Sequence, residues 1–315
     1  MRQSYRQRLC AVGALCLLST FSPALAQSVS DQPELRNPTV VVTRTRDEQV
    51  RDYMADIMPR GTGIRSKGLP RWNSELCVSV IGPPVEQGQF IADRITQRAQ
   101  QVGLEAGGPD CDTNLLIMVT DAPEVLLPEV VKQHRKMFGD PSDPGIDVSG
   151  TSAIKDLGDD QRPVRWRQVI ETVSATGIPL SGDPRSGPSG APENVPTVRS
   201  STASRLTSNV RREVSRMIVV VDTRMTAGRP IGAIADYLAF VTLAQVDADA
   251  DVETFPSIMG LFSGLDAPRS MTDWDVAYLI ATYDSKADAV NAKSQLREMR
   301  KLIIEYDPEA RRDGW

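Results

Sequence analysis

The chain has 315 residues, of which 40% are hydrophobic, 36 are Lys or Arg and 41 are Asp or Glu. This length allows one large domain or two smaller ones. An acidic chain with scattered basic residues lacks the cationic surface that drives binding to nucleic acid or to an anionic membrane, so we expect neither partner.

The N-terminus has the pattern of a secretory signal peptide over residues 1–26. Three arginines begin it, an apolar run over 9–18 follows, and an Ala-Leu-Ala triplet at 24–26 fits a cleavage site. The apolar run is shorter than the roughly 20 residues that a membrane-spanning helix needs. We therefore expect a periplasmic or secreted protein with a mature net charge of −8 and no membrane span after cleavage.

Residues 27–70 are polar and interrupted by proline and glycine. This composition is typical of a flexible leader, not of a domain with its own core. One short helix is predicted within it, over 47–58, docked on the domain that follows.

Strands and helices alternate over residues 71–139. Apolar runs at 76–81 and 114–120 predict strands, and amphipathic runs at 86–102 and 123–138 predict helices. This βαβα order indicates a right-handed crossover and at least one local pair of parallel strands.

Cleavage of the signal peptide would leave two cysteines, Cys77 and Cys111. An even pair in an oxidising compartment favours a disulfide. The alternative, a reactive thiol, lacks a C-x-x-C spacing or a basic neighbour that would lower its pKa. We predict a structural disulfide that closes a loop of about 35 residues and stabilises the fold by roughly 3–4 kcal/mol.

The middle of the chain predicts an extended hairpin over 164–210. Residues 164–172 alternate like an exposed or edge strand, and 200–210 would be the returning strand in register with it. Between them, residues 179–198 are rich in Pro, Gly and Ser, which is typical of a disordered loop at the tip of the hairpin, with a linker between domains as the alternative.

The C-terminal third predicts ordered elements again. Thr272 and Asp275 have the spacing of a capping box, and Asp284 is the expected cap of the last helix. The predicted elements are a doubly buried strand at 217–221, a central apolar helix at 231–246, a helix at 273–281 and an amphipathic helix at 286–304, before a polar tail at 306–315.

These elements together predict an α/β protein, with α+β as the alternative. We expect a mixed β-sheet with packed helices, a βαβα unit in its N-terminal part and a helical C-terminal part. A single domain over 71–305 is preferred, and two separate cores remain open.

His134 is the single histidine of the chain and lies in a basic run expected on an exposed helix face. A serine triad needs a histidine to transfer the proton, and histidine-rich zinc sites need several. No catalytic residue, metal site or cofactor is therefore predicted.

The alternating carboxylates Asp247, Asp249 and Asp251 have the spacing of a calcium loop. An EF-hand needs Gly at its sixth position and a bidentate Glu at its twelfth, where this chain has Val252 and Ile258. The preferred interpretation is an acidic, solvated loop.

Paired carboxylates for glycoside chemistry remain open, because their separation in space decides that role and the sequence does not show it. The alternative roles are a strand-end turn, a polar position on a buried helix and negative charge at a helix N-terminus. Four residues near predicted elements are candidates: Asp222, Asp236, Asp273 and Asp275.

Residues 215–285 carry a succession of motifs that includes the loop Pro256-Ser-Ile-Met-Gly and the segment Met271-Thr-Asp-Trp-Asp, which leads to Thr282-Tyr283. The succession resembles secreted zincin-like, metalloprotease-like proteins of unknown function, which have an S-I-x-N loop and an L-T-x-x-D-x-x-x-L-x-x-L-Y helix. Active zincins carry H-E-x-x-H. The stretch aligned here is Ala235-Asp236-Tyr-Leu-Ala239, so alanine stands at both ligand positions. The resemblance implies a degenerate member that has lost its metal.

Three hypotheses about function follow. The first is an exported, non-catalytic protein that binds a protein or polymer of the cell envelope. The second is a carboxylate- or metal-dependent, peptidase-like hydrolase of the periplasm. The third is a scaffold with the loop 179–198 as its recognition element.

Overall fold

The computed structural model describes residues 44–59, 68–108, 110–139, 146–147 (backbone only), 157–158, 161–180, 207–250, 252, 254–264 and 266–309. Arg44–Trp315 forms one compact unit. The predicted signal peptide, and the leader at 27–43 and 60–67, lie outside the described residues.

A mixed sheet of five strands lies at the centre of this unit, in the order β1-β2-β5-β4-β3. β1, β2 and β5 are parallel, β4 is antiparallel to β5, and β3 is antiparallel to β4. The strands are β1 Val78–Ile81, β2 Leu115–Thr120, β3 Ile146–Asp147, β4 Val164–Ser174 and β5 Val210–Asp222. The predicted α/β class and the parallel β1–β2 pair are confirmed.

Seven α-helices and two short 3-10 helices accompany the sheet in the described part of the chain. The α-helices are α1 Arg46–Ile57, α2 Val85–Gln101, α3 Pro123–Gln133, α4 Thr223–Thr226, α5 Ile231–Leu243, α6 Asp273–Asp284 and α7 Ala292–Glu305; the 3-10 helices are Arg135–Phe138 and Ile258–Phe262.

Helices cover both faces of the sheet because successive side chains of β2 and β5 point to opposite faces and both sets are apolar. Leu115 and Val219 face the main core, to which α1, α2, α5, α6 and α7 contribute. Leu116 and Val220 face a smaller core that contains α3 and the first 3-10 helix. The predicted burial of the valine-rich strand on both faces is confirmed.

The helix predicted at 231–246 is α5, and it is buried almost all round. Leu238 and Phe240 are completely buried in the main core. The apolar composition on every side of this helix therefore reflects its central position.

The helix predicted within the leader is α1. A capping box of Thr45 and Glu48 begins it, and Tyr53 and Ile57 are completely buried in the main core. Residues 44–58 thus belong to the folded unit, not to a flexible segment.

The predicted hairpin needs correction. The strand that pairs with β4 is Val210–Asp222, from Ser174↔Val210 to Val164↔Val221, so the predicted strand at 217–221 is the second half of that partner. The pairing expected for 200–210 was wrong because β5 continues back from its apolar half to Val210, with one register shift opposite Val169 and Ile170. β4 is also not an edge strand, since β3 pairs with its other side. Residues 181–206, with most of the predicted loop, lie outside the described residues.

Two helix boundaries also differ from the prediction. α3 ends at Gln133, and the chain continues as a 3-10 helix instead of an α-helix to 138. The last helix begins at Ala292, because the side chain of Asn291 accepts a hydrogen bond from Ser294 N, whereas Asp284 is the last residue of α6.

The predicted disulfide joins Cys77, just before β1, to Cys111, before β2. A Cβ at Gly107 would lie 2.5 Å from Cys111 Sγ, so the backbone passes close to the bridge at a glycine. The bridge ties the start of the edge strand to the loop that precedes its neighbour.

Replacing both cysteines by serine is expected to lower the free energy of unfolding by about 3–4 kcal/mol, because the bridge restricts the unfolded chain. Urea denaturation without reductant measures the difference. Reductant should lower the stability of the wild type to that of the variant and leave the variant unchanged. Equal stability of the two proteins without reductant would contradict the prediction.

Candidate functional site

Asp236, on α5, is part of a buried ion pair. Arg98 Nε donates to Asp236 Oδ1 at 3.2 Å, and Arg94 Nη1 lies 3.5 Å from the same oxygen. Both arginines are on α2, so the carboxylate joins the two helices. Ala235 and Ala239, at the aligned ligand positions, are completely buried in the main core. This stretch therefore supplies packing and ion pairs with Arg94 and Arg98.

Asp275, in the first turn of α6, is completely buried. Its oxygens accept hydrogen bonds from Ser257 Oγ, Ile258 N and Thr272 N at 2.5, 2.7 and 2.9 Å. The predicted capping box of Thr272 and Asp275 is confirmed. Burial raises the pKa of the Asp275 carboxyl, although these hydrogen bonds oppose the change.

Asp222 lies at the end of β5 and binds two arginines. Arg165 Nη2 and Arg224 Nη2 donate to its Oδ2 at 3.2 and 2.6 Å. The hydrogen bonds from Arg224 hold the pKa of this carboxyl below its usual value. Asp273, the fourth predicted candidate, is exposed on α6.

The predicted acidic loop is a turn with one surface ion pair. Asp249 N donates to Asp247 Oδ1 at 2.9 Å, and Arg162 Nη1 lies 3.3 Å from Asp249 Oδ1. Asp251 lies outside the described residues. Over the part of the chain that the structure describes, no three His, Cys, Asp or Glu side chains are grouped so that they could hold a metal ion.

The carboxyl ends of the three parallel strands form a different kind of site. The chain leaves β1 for α2 on the main-core face, leaves β2 for α3 on the opposite face, and leaves β5 for α5 on the main-core face again. Neighbouring strands whose connections leave to opposite faces enclose a crevice at their carboxyl ends, where open α/β sheets bind ligands. The topology therefore predicts a ligand-binding position beside the end of β2.

The backbones pack closely between the ends of β1 and β2. Gly82 follows β1 with φ +105°, and a Cβ there would lie 2.0 Å from the carbonyl oxygen of Val119. Only glycine tolerates both the backbone conformation and the contact. On the other side of β2, Arg224 Nη2 lies 3.6 Å from Glu124 Oε2, so this ion pair joins α4, which follows β5, to the first turn of α3, which follows β2.

Exposed apolar side chains occur in the helices that follow the three parallel strands. Val85 is 86% exposed and Val125 is 69% exposed, and the other three members are between 38% and 42% exposed. We call this set the carboxyl-edge rim: Val85, Phe90, Val125, Met225 and Ile231. Five of the seven large apolar side chains that are exposed in the described residues belong to it.

The helices that begin at this edge differ from the other long helices because no side chain caps their N-termini. α2, α3 and α5 follow Pro84, Ala122 and Pro230, whose side chains cannot accept a hydrogen bond. α1, α6 and α7 are capped by the side chains of Thr45, Thr272 and Asn291.

Sequence reasoning missed the rim and misplaced one of its members. Phe90 has the helical spacing of a core residue beside Ile91 and Ile95, which are buried, but it is 39% exposed. A valine directly after a proline at a helix start was the available signal at Val85, because the first turn of such a helix projects beyond the sheet. His134 is exposed, as predicted.

Comparison with known proteins identifies no relative. No family model, no curated protein and no solved structure matches this chain. Within the described ranges, no helix is both long enough and apolar enough to cross a membrane.

Asp236→Asn is expected to lower the free energy of unfolding by about 3 kcal/mol, because it removes the carboxylate that compensates the buried charge of Arg98. Chemical denaturation measures the loss. Asp273→Asn, on an exposed carboxylate, is the control and should change stability by less than about 0.5 kcal/mol. Equal effects of the two substitutions would contradict a structural role for Asp236.

Asp222→Asn is expected to change how stability depends on pH. Because the folded pKa of Asp222 is lowered, its contribution is present above the unfolded pKa of about 3.9 and is lost as the pH falls through the folded value. The stability difference between wild type and variant should therefore shrink below about pH 4. Urea denaturation from neutral to acidic pH tests this, and a constant difference would refute it.

Proposed function

We propose that this chain is an exported, non-catalytic protein that binds an extended apolar segment of another cell-envelope protein at the carboxyl-edge rim. The observation that carries the proposal is that five exposed apolar side chains belong to the helices that follow the three parallel strands, whose carboxyl ends are where open α/β sheets bind their ligands. Exposed apolar patches bounded by polar groups commonly mark interaction sites.

The state of the buried carboxylates supports a binding role over a hydrolytic one. Asp222 and Asp236 are bound by arginines, and Asp275 is enclosed by hydroxyl and amide donors. A general acid or base must reach the substrate, and these groups are occupied inside the fold. The proposal therefore treats the zincin-like stretch as a scaffold in which Ala235 and Ala239 serve packing.

The chemistry of the rim favours a polypeptide over a polysaccharide. Valine and methionine offer no hydrogen bonds to sugar hydroxyls, and a hydroxyl that loses water without a new partner costs free energy. Methionine adapts to apolar side chains of varied shape. Arg224 and Glu124, beside the rim, supply the polar border that is typical of protein interfaces.

Export is part of the proposal and has two supports. Residues 1–26 have the pattern of a secretory signal peptide. The disulfide between Cys77 and Cys111 suits an oxidising compartment.

Photo-crosslinking in the native cell should distinguish the rim from other apolar surface. A photoreactive residue at position 125 or 225 is expected to crosslink one envelope protein, and Val85→Gln should abolish that product, because it removes an exposed apolar contact. The matched controls are Ile178 and Val290, which are exposed apolar residues outside the rim. Equal crosslinking at rim and control positions, or none at the rim, would refute the proposal.

A further inference from the structure

Strand β1 stands at one end of the sheet order and pairs with β2 along one side. In a parallel ladder, alternate residues direct their N–H and C=O groups to opposite sides of the strand. Cys77 O accepts from Leu115 N at 3.1 Å, so every second residue from Cys77 onwards bonds with β2. The backbone groups of Val78 and Val80 therefore point away from β2, to the outer edge of the sheet.

The chain itself covers the beginning of this outer edge. Leu76 N donates to Glu105 O at 2.8 Å, and Gly107 N donates to Leu76 O at 2.9 Å, so this segment pairs in parallel with the start of β1. The pairing ends there. Within the described ranges, no group bonds to the outward N–H and C=O of Val78 and Val80. The edge thus accepts a neighbouring chain at its start and is open beside the strand itself.

The composition of β1 does not protect the open edge. Natural proteins commonly protect edge strands with charged residues, proline or a bulge. Val78–Ile81 has neither charge nor proline, and its register with β2 is continuous. Val78 and Val80 pack against the main core, and Ile81 packs against the smaller one. Both cores therefore hold the strand in place as an uncharged template for a further strand.

Helix α2 lies above β1 on the main-core face. A Cβ at Gly88 would be 3.7 Å from Val80 Cβ. Arg94 and Arg98 bind Asp236 of α5, so one flank of α2 faces α5. Because α5 is buried almost all round, it lies over the interior of the sheet. The other flank of α2 therefore faces outward, on the side of the open β1 edge.

This outer flank carries small, uncharged side chains. Ala92 and Thr96 each stand two positions before one of the arginines that face α5, which is about 200° around the helix axis, and both are half-buried. Val85 lies two turns before Ala92 on the same flank and is 86% exposed. Val85 thus belongs both to the carboxyl-edge rim and to the flank beside the open edge.

We propose that the polypeptide segment bound by this protein adds as a strand to the outer edge of β1. Its main chain pairs with Val78 and Val80, and its small apolar side chains lie under the outer flank of α2. In this mode of recognition, main-chain hydrogen bonds give affinity and alternate side chains give specificity. The inference rests on the proposed binding function and specifies how the partner is held.

The size of the open edge favours a short segment of another protein over a second copy of this chain. The segment paired with Leu76 closes the edge at one end, and the strand ends before Gly82, where φ is +105°. A stable dimer interface buries about 1,200 Å² or more, which strand pairing over so short an edge does not supply.

The chemistry of the edge favours an uncharged segment. The side chains of β1 and those at 85, 92 and 96 carry no charge. A charged side chain placed among them would lose water without gaining a partner, which costs free energy.

Solvent exchange of backbone amides, measured by NMR on the purified protein, tests the added strand directly. The ligand added is an uncharged peptide of alternating valine and threonine, with a polyethylene glycol tail for solubility. At saturation, the Val78 and Val80 amides should exchange about tenfold more slowly, because they gain acceptors. The Ser79 and Ile81 amides already bond with β2 and should not change. Unchanged exchange at Val78 and Val80, or equal slowing by a fully N-methylated peptide, would overturn the proposal.

Val80→Pro tests the same edge in the cell. Proline removes the outward N–H and leaves the ladder with β2 intact, as is typical of proline in edge strands. It should abolish the crosslinked product formed at position 125 or 225, whereas Val80→Ala, which only shortens the side chain, should retain it. Slow exchange of the Ser79 and Ile81 amides shows that each variant is folded.

The outcomes separate the two proposals. Absence of any crosslinked product from the wild type would refute the proposed function, and with it the added strand. A folded Val80→Pro variant that keeps the product would leave the proposed function standing and overturn the added strand alone. If Val80→Pro does not fold, the amide exchange of the wild type decides.

Discussion

Strand β5 must be buried on both faces, and the rest of the structure depends on that requirement. Its apolar half pairs with β2 on one side and β4 on the other. Side chains such as Val219 and Val220 leave the strand in opposite directions, and each needs an apolar layer. The layer of α5 and its neighbours covers one face, and α3 with the first 3-10 helix covers the other. The connections after β1, β2 and β5 leave to opposite faces because both faces need such a layer.

Buried carboxylates hold this arrangement together. Asp236 joins α5 to α2, Asp222 joins the end of β5 to β4 through Arg165, and Asp275 joins α1 to α6. Residues that looked like candidates for acid–base chemistry thus satisfy polar groups within the core. The exposed apolar side chains of the carboxyl-edge rim are the basis of the proposed binding function.

Local patterns predicted the elements whose determinants lie within one short segment. β1, β2, α5, the capping box of α6 and the pairing of Cys77 with Cys111 were all predicted from composition, periodicity and spacing. The errors occurred where a boundary depends on contacts from elsewhere. The sequence around 200–222 does not show where pairing with β4 begins, and Phe90 has the helical spacing of a core residue although no layer covers it.

The sequence by itself determined the α/β class, the parallel β1–β2 pair and the disulfide, because apolar periodicity and cysteine spacing act over short distances along the chain. Only the tertiary structure decided which carboxylates meet arginines and which apolar side chains remain exposed. Asp236 and Arg98 are 138 residues apart, and Tyr53 and Asp275 are 222 apart. The packing of the helices on the sheet brings such partners together. No local sequence pattern predicts these contacts.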